Sequence, residues 1–218
     1  MEKELKHIIL DMFYPVRNPF WVKYLLRGVT WNGSNRDSVV YLTFDDGPHP
    51  EVTPFVLEEL NKFNAKATFF CIGKNVQEYP ELYKRIIEEG HAVGNHTQNH
   101  VNYKKIGEKA FLKEVSEAQK IIDSSLFRPP YGKINNFLVR QLSAPGYGLK
   151  TIMWSVLSGD FDLNLQPQKC LEHVLLNTRA GDIVVFHDSE KAKPRLGFAL
   201  PLALKYWKER DFVFEKLT

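Results

Sequence analysis

From residue 39 onward, short apolar runs of strand length alternate with segments of helical period, and this alternation does most to narrow the fold. Residues 39–44 (VVYLTF) read as a strand, followed by a helix near 51–63 with Pro54 in its first turns, where a missing N–H costs little. Residues 65–72 (AKATFFCI) form the next strand. A helix near 76–89 places Tyr79, Leu82, Tyr83, Ile86 and Ile87 on one face before Gly90 stops it. The pattern then predicts a short strand at 91–94, a helix at 107–123, a strand leading into Arg128 and a helix at 135–143. Strands follow at 148–154, 182–187 and 212–216, with helices near 167–179 and 201–210, the last opening on Pro201. About seven such alternations demand an α/β fold with a mostly parallel sheet and helices outside it. An open doubly wound sheet and a closed or incomplete barrel both satisfy this. The chemically loaded residues all fall at the carboxyl ends of successive strands, which favours a barrel of the TIM type.

Composition sets the outer limits. The chain has 218 residues, of which 44% are hydrophobic and 25% charged, an ordinary globular balance able to bury a core without staples. Cys71 and Cys170 are its two cysteines, too few for a disulfide framework. The net charge of +3 arises from 29 basic and 26 acidic residues mixed along the chain, which argues against nucleic acid as a partner. Near the start, the apolar run at Ile8–Leu10 ends at Asp11, too short for a secretory leader or a membrane span. A cytoplasmic location is therefore the expectation, with an envelope-facing role as the alternative. Residues 1–37 read as an N-terminal extension packed on a single domain over 38–218. Within the extension, residues 13–31 are aromatic and basic; packing on the domain is the preferred reading, with peripheral membrane contact as the alternative.

Five segments carry chemistry. Thr43-Phe44-Asp45-Asp46-Gly47-Pro48 delivers two adjacent carboxylates to a strand end, where mutual repulsion calls for a cation or an arginine. Gly94-Asn95-His96-Thr97-Gln98-Asn99-His100 follows the third strand, and on one helical turn His96 and His100 would face the same side. Two imidazoles and a carboxylate suit zinc with a position left for water. Arg128-Pro129-Pro130-Tyr131-Gly132 reads as a rigid loop. Residues 154–162 (WSVLSGDFD) bring Asp160 past a strand end, and 184–188 (VVFHD) end an apolar strand in His187, where a neighbouring acid such as Asp160 would raise its pKa. His7, His49, His91 and His173 read as bystanders, both cysteines as buried small hydrophobes, and Lys191, Lys193 and Arg195 as a solvated basic loop.

In this order the five segments resemble the polysaccharide deacetylases of carbohydrate esterase family 4, over roughly residues 38–217. The resemblance implies a distorted, incomplete (β/α) barrel of about seven parallel strands that removes N-acetyl groups from amino sugars with a divalent metal, Zn2+ or alternatively Co2+. Carried over by position, Asp45 matches the catalytic base, Asp46, His96 and His100 the metal ligands, and Arg128 the arginine that holds the base. Tyr131 matches the residue whose backbone N–H meets the oxyanion, Asp160 the acid-tuning aspartate and His187 the catalytic acid. Pro130, Trp154 and Phe161 are expected beside the substrate. Two positions depart from the family pattern: Leu157 stands where many members carry an acid, and Phe161 where they carry tryptophan. The leading expectation is a hydrolase acting on N-acetylglucosamine of peptidoglycan or a chitin-like glycan. The alternatives are a deformylase or deacylase of a small or lipid-linked amido sugar and, in a different class, a non-catalytic glycan- or metal-binding module.

Overall fold

The computed structural model describes residues 14–19, 21–34 and 38–218. Nine strands run among them: β1 Val29–Thr30, β2 Val39–Asp45, β3 Ala67–Cys71, β4 Ala92–Asn95, β5 Leu126–Phe127, β6 Lys150–Ile152, β7 Val156–Leu157, β8 Ile183–His187 and β9 Val213–Phe214. Every ladder between them is parallel, in the order β1-β6-β5-β4-β3-β2-β8-β7, with β9 added beside β2. β6 and β7 are separated by three residues yet pair with opposite neighbours, β5 and β8. The sheet therefore curls round on itself as an incomplete barrel. All seven residues of β2 are buried, as expected of a central parallel strand covered on both sides.

The helices that cover the sheet are α1 Val22–Leu25, α2 Val52–Lys62, α3 Gly73–Glu78, α4 Pro80–Glu88, α5 Tyr103–Ile106, α6 Glu108–Gln119, α7 Asn136–Ser143, α8 Pro167–Asn177 and α9 Lys193–Lys208. Three differ from the sequence reading. The helix expected over 76–89 breaks at Tyr79, because Pro80 starts a new helix at its first position. The one expected over 107–123 is preceded by a separate turn, α5, that ends at Gly107 with φ 82°, a conformation open to glycine. Pro201 lies inside α9 and does not open it. Leu196, Ala199, Leu200, Ala203, Leu204 and Trp207 are buried on both sides of that proline, and packing of this face offsets the roughly 3 kcal/mol that an interior proline costs. β1 and β7, of two residues each, lie outside the strands read from the sequence.

Of the N-terminal extension, residues 1–13, 20 and 35–37 lie outside the described residues. The remainder is woven into the sheet edge: β1 pairs with β6, and Arg17 bridges Val156 while its guanidinium binds Asp182 at 2.5 Å. Trp31 is buried, whereas Trp21, Tyr24 and Leu25 are exposed, so the aromatic stretch is only partly packed on the domain. No helix among the described residues is long and apolar enough to cross a membrane.

Candidate active site

Asp45, the last residue of β2, and His187, the last of β8, are register partners on adjacent strands. Asp46 follows with φ 83°, a left-handed conformation that costs a non-glycine residue on the order of 1 kcal/mol or more. It brings Oδ1 to 3.7 Å from His96 Nε2 and 3.2 Å from His100 Nε2. The ligand atoms of the three residues all lie within 4.8 Å of one another. The imidazoles converge by a different route from the helical turn expected. Residues 96–100 form a loop in which Thr97 and His100 have φ 67° and 52°, pinned by Asn95 Oδ1 accepting from the Thr97 N–H at 2.8 Å.

The donor set fits a divalent ion. His96 Nδ1 lies 2.7 Å from the Arg128 carbonyl, which only accepts, so Nδ1 carries the proton and Nε2 presents its lone pair to Asp46. Burial, then repulsion from His100, pushes the His96 pKa down to about 3, and burial lowers that of His100, with His187 and Lys191 adding to the effect. Both shifts favour the neutral imidazole, the form that can ligate a metal. Asp46 Oδ1 is buried with no hydrogen-bond partner, an acceptor that a cation would satisfy.

Asp45 is buried, and its Oδ1 accepts from Arg128 Nη1 at 2.7 Å. The fully buried guanidinium also donates to Thr43 Oγ1 at 2.7 Å and to the Met153 and Ile152 carbonyls at 2.9 and 3.3 Å, and it stacks on Phe70 at 4.1 Å. Trp154 flanks it at 5.9 Å. After the buried Pro130, Tyr131 takes φ 59° and sets its exposed ring 4.6 Å from that of His100. Gly132, at φ 62°, leaves no room for a side chain: an added Cβ would lie 2.5 Å from the Trp154 ring. Trp154 therefore backs the turn that carries Tyr131.

His187 is held by both oxygens of one carboxylate. Its Nδ1 bonds Asp160 Oδ1 and its backbone N–H donates to Oδ2, each at 2.7 Å. Burial alone would depress its pKa, but the charge and hydrogen bond of Asp160 outweigh burial and raise it to about 9. Phe161 packs edge-on to His187 at 5.2 Å and against Tyr14 at 5.0 Å. Leu157 is buried in β7, an apolar part of the sheet.

Two supporting residues escaped the sequence reading. Arg195 lies in α9, not in a solvated loop, and is buried; its Nε donates to the Asp160 carbonyl at 2.6 Å. Asp188 is buried under the Asp46 turn, accepting from Gly47 N at 3.1 Å and Thr53 Oγ1 at 2.5 Å, and burial raises its pKa to about 8. A charged residue directly after an apolar strand end is the one signal that could have flagged it. The bystander histidines stay outside the cluster. His49 Nε2 lies 3.7 Å from Glu190, and His91 Nδ1 accepts from Ala67 N at 3.2 Å. His173 donates from Nδ1 to the Ser158 carbonyl at 3.0 Å. His7 lies outside the described residues. Cys71 and Cys170 are buried and free.

Comparison with known proteins agrees with this arrangement. The polysaccharide deacetylase family model matches residues 32–149, more than half of the chain. A peptidoglycan-N-acetylglucosamine deacetylase of Bacillus cereus is 35% identical over 192 residues, covering 85% of this chain and 89% of that protein. A chitooligosaccharide deacetylase of Azorhizobium caulinodans is 35% identical over 162 residues, 71% and 76% of the respective chains. The crystal structure of the Bc1960 peptidoglycan N-acetylglucosamine deacetylase superposes with a TM-score of 0.82 at 29% identity, over 92% of this chain and 95% of that one. The strand-end acids and histidines, the curled parallel sheet and these matches lead to one assignment: the chain belongs to the polysaccharide deacetylase family.

Proposed function

We propose that this chain hydrolyses the N-acetyl group of N-acetylglucosamine in a glycan, peptidoglycan first and chitin-like oligomers second, with Zn2+ held by Asp46, His96 and His100. The observation that carries the reading is the pairing of Asp45 and His187 at matched ends of β2 and β8, with the cluster of Asp46, His96 and His100 next to them. An amide yields to water only if three things are supplied: a base for the attacking water, a stabilised oxyanion and a proton for the leaving amine.

The divalent ion, when bound, polarises the acetyl carbonyl and acidifies water. Asp45 is fixed by Arg128 through Oδ1 and takes the proton of the attacking water. The rigid turn at Pro130–Gly132 presents the Tyr131 backbone N–H to the developing oxyanion, a role that its left-handed φ and its ring against His100 support. His187 is kept protonated by Asp160 and gives its proton to the departing sugar nitrogen, releasing acetate and the free amine. Phe161, edge-on to His187, supplies an apolar wall for the sugar ring.

Exposure of Trp21, Tyr24 and Leu25 beside Lys23 and Arg27 favours a second reading, an amido sugar carried on a lipid. Both readings are tested by measuring acetate and formate release from N-acetylglucosamine oligomers, peptidoglycan fragments and a formamido-sugar lipid, with zinc, with cobalt and after chelation. Zinc-dependent acetate release from the first two supports the proposal. Formate release confined to the lipid establishes the second reading, and release from none of the three overturns both.

A further inference from the structure

We propose that Lys191 selects glycans that carry a carboxylate on the sugar next to the N-acetyl group under attack. This rests on the deacetylase reading above and specifies its substrate as an acidic strand, not a neutral one. The turn after β8 leaves the acid His187 and reaches Lys191 within four residues. That turn is fixed. The buried Arg195 guanidinium donates from Nη2 to the Lys191 carbonyl at 2.6 Å and from Nε to the Asp160 carbonyl at 2.6 Å. One buried cation thus ties the Lys191 backbone to the same loop that holds His187.

From this anchor the exposed ammonium lies 5.6 Å from the centre of the Phe161 ring, the ring that packs against His187. Three acids near Lys191 in the chain or at the acid His187 have contacts other than Lys191. Glu190 faces His49, Asp162 accepts from the Tyr14 hydroxyl and the Asn164 N–H, and Asp160 is taken up by His187. Lys191 forms no salt bridge among the described residues. The side of the site next to the acid therefore carries a positioned positive charge that has no counter-ion among the described residues, beside an aromatic ring on which a sugar would rest. A sugar bound on Phe161 would present its substituents to this ammonium. A carboxylate there gains an ion pair that a hydroxyl does not.

The test compares kcat/KM for acetate release from two tetrasaccharides of equal length, one of N-acetylglucosamine alone and one alternating it with a carboxylate-bearing N-acetyl sugar. Lys191→Gln is expected to lower the acidic-to-neutral ratio by about fivefold, the size of an exposed ion pair, chiefly through KM. Lys191→Glu should lower it further, and high salt should shrink the wild-type preference. Lys205→Gln, which removes an exposed charge from α9 beside Glu209, controls for net charge. A ratio unmoved by both Lys191 variants, or moved equally by Lys205→Gln, overturns the role of Lys191 while leaving deacetylation intact. Absence of acetate from both tetrasaccharides overturns the functional reading itself.

Discussion

Replacing Asp160 by Asn should turn the enzyme into one that works only in mildly acid solution. In the native site both Asp160 oxygens serve His187, and the imidazole pKa stands at about 9 against an ordinary 6.5. That gap corresponds to about 3 kcal/mol of preference for the protonated ring. Asparagine keeps the size of the side chain but removes the strongest force that favours protonation; burial still opposes it and the Asp46 and Asp45 charges still favour it, so the pKa should fall from its native value toward the ordinary one. The sign follows directly: an acid must be protonated to act, so its activity is lost as pH rises through its pKa. At pH 8 most native His187 is protonated, whereas a ring returned to the ordinary pKa of 6.5 would be about 3% protonated, so the loss from protonation alone reaches up to about thirtyfold. Near pH 5.5 both forms are largely protonated and the deficit should close. Burial lowers the pKa of both His96 and His100, which favours the unprotonated imidazoles at that pH. A divalent ion nearby lowers the native and variant limbs together and leaves their separation in place. The assay is acetate release from pH 5 to 10, with the His187 ring followed by NMR. A deficit of equal size at every pH would refute the electrostatic account and leave Asp160 a merely structural residue.

Further consequences concern the frame of the site. Arg128→Met would leave Asp45 buried without its partner, a loss of about 3–5 kcal/mol that thermal unfolding would register as a large drop in Tm. A Tm change no larger than that of a surface substitution would contradict the pairing. Gly132→Ala would force a Cβ to 2.5 Å from Trp154 at φ 62°, so activity should fall and the near-ultraviolet tryptophan signal should change, with zinc affinity held within a few-fold. An unchanged signal with full activity would show that the turn is not constrained as described. On a neutral oligomer, where Lys191 has no carboxylate to meet, Arg195→Met should lower kcat far more than it raises KM, since the Asp160 carbonyl loses its 2.6 Å donor. A pure KM effect would remove Arg195 from the support of the acid.

The parallel barrel was legible because apolar runs of strand length alternate with segments of period 3.6 from Val39 to Phe214, and because Asp45, His96, Arg128 and His187 end or follow strands. The same patterns misled where local chemistry was overruled by packing. Pro201 reads as a helix start, yet the apolar face running from Leu196 to Trp207 holds the helix together across it. His96 and His100 read as partners on a helical turn because they are four apart. Left-handed residues in a loop do that work, and φ at Thr97 and His100 has no reliable sequence signature. Arg195 looked like part of a solvated basic run. Its partners are backbone carbonyls of residues 160 and 191, and no side-chain pattern records a carbonyl acceptor. Asp188 was hidden by its neighbour His187, whose role had already accounted for that strand end.

The central claim is that two adjacent carboxylates divide the labour, Asp46 holding the ion and Asp45 moving the proton. It is tested most directly by zinc content and acetate release measured on the same preparations of Asp45→Asn and Asp46→Asn. Asp45→Asn should bind zinc stoichiometrically and release acetate at least about a hundredfold more slowly, the scale of a lost general base. Asp46→Asn should lose zinc and activity together. Equal zinc loss in both variants, or an active Asp45→Asn, would contradict the account.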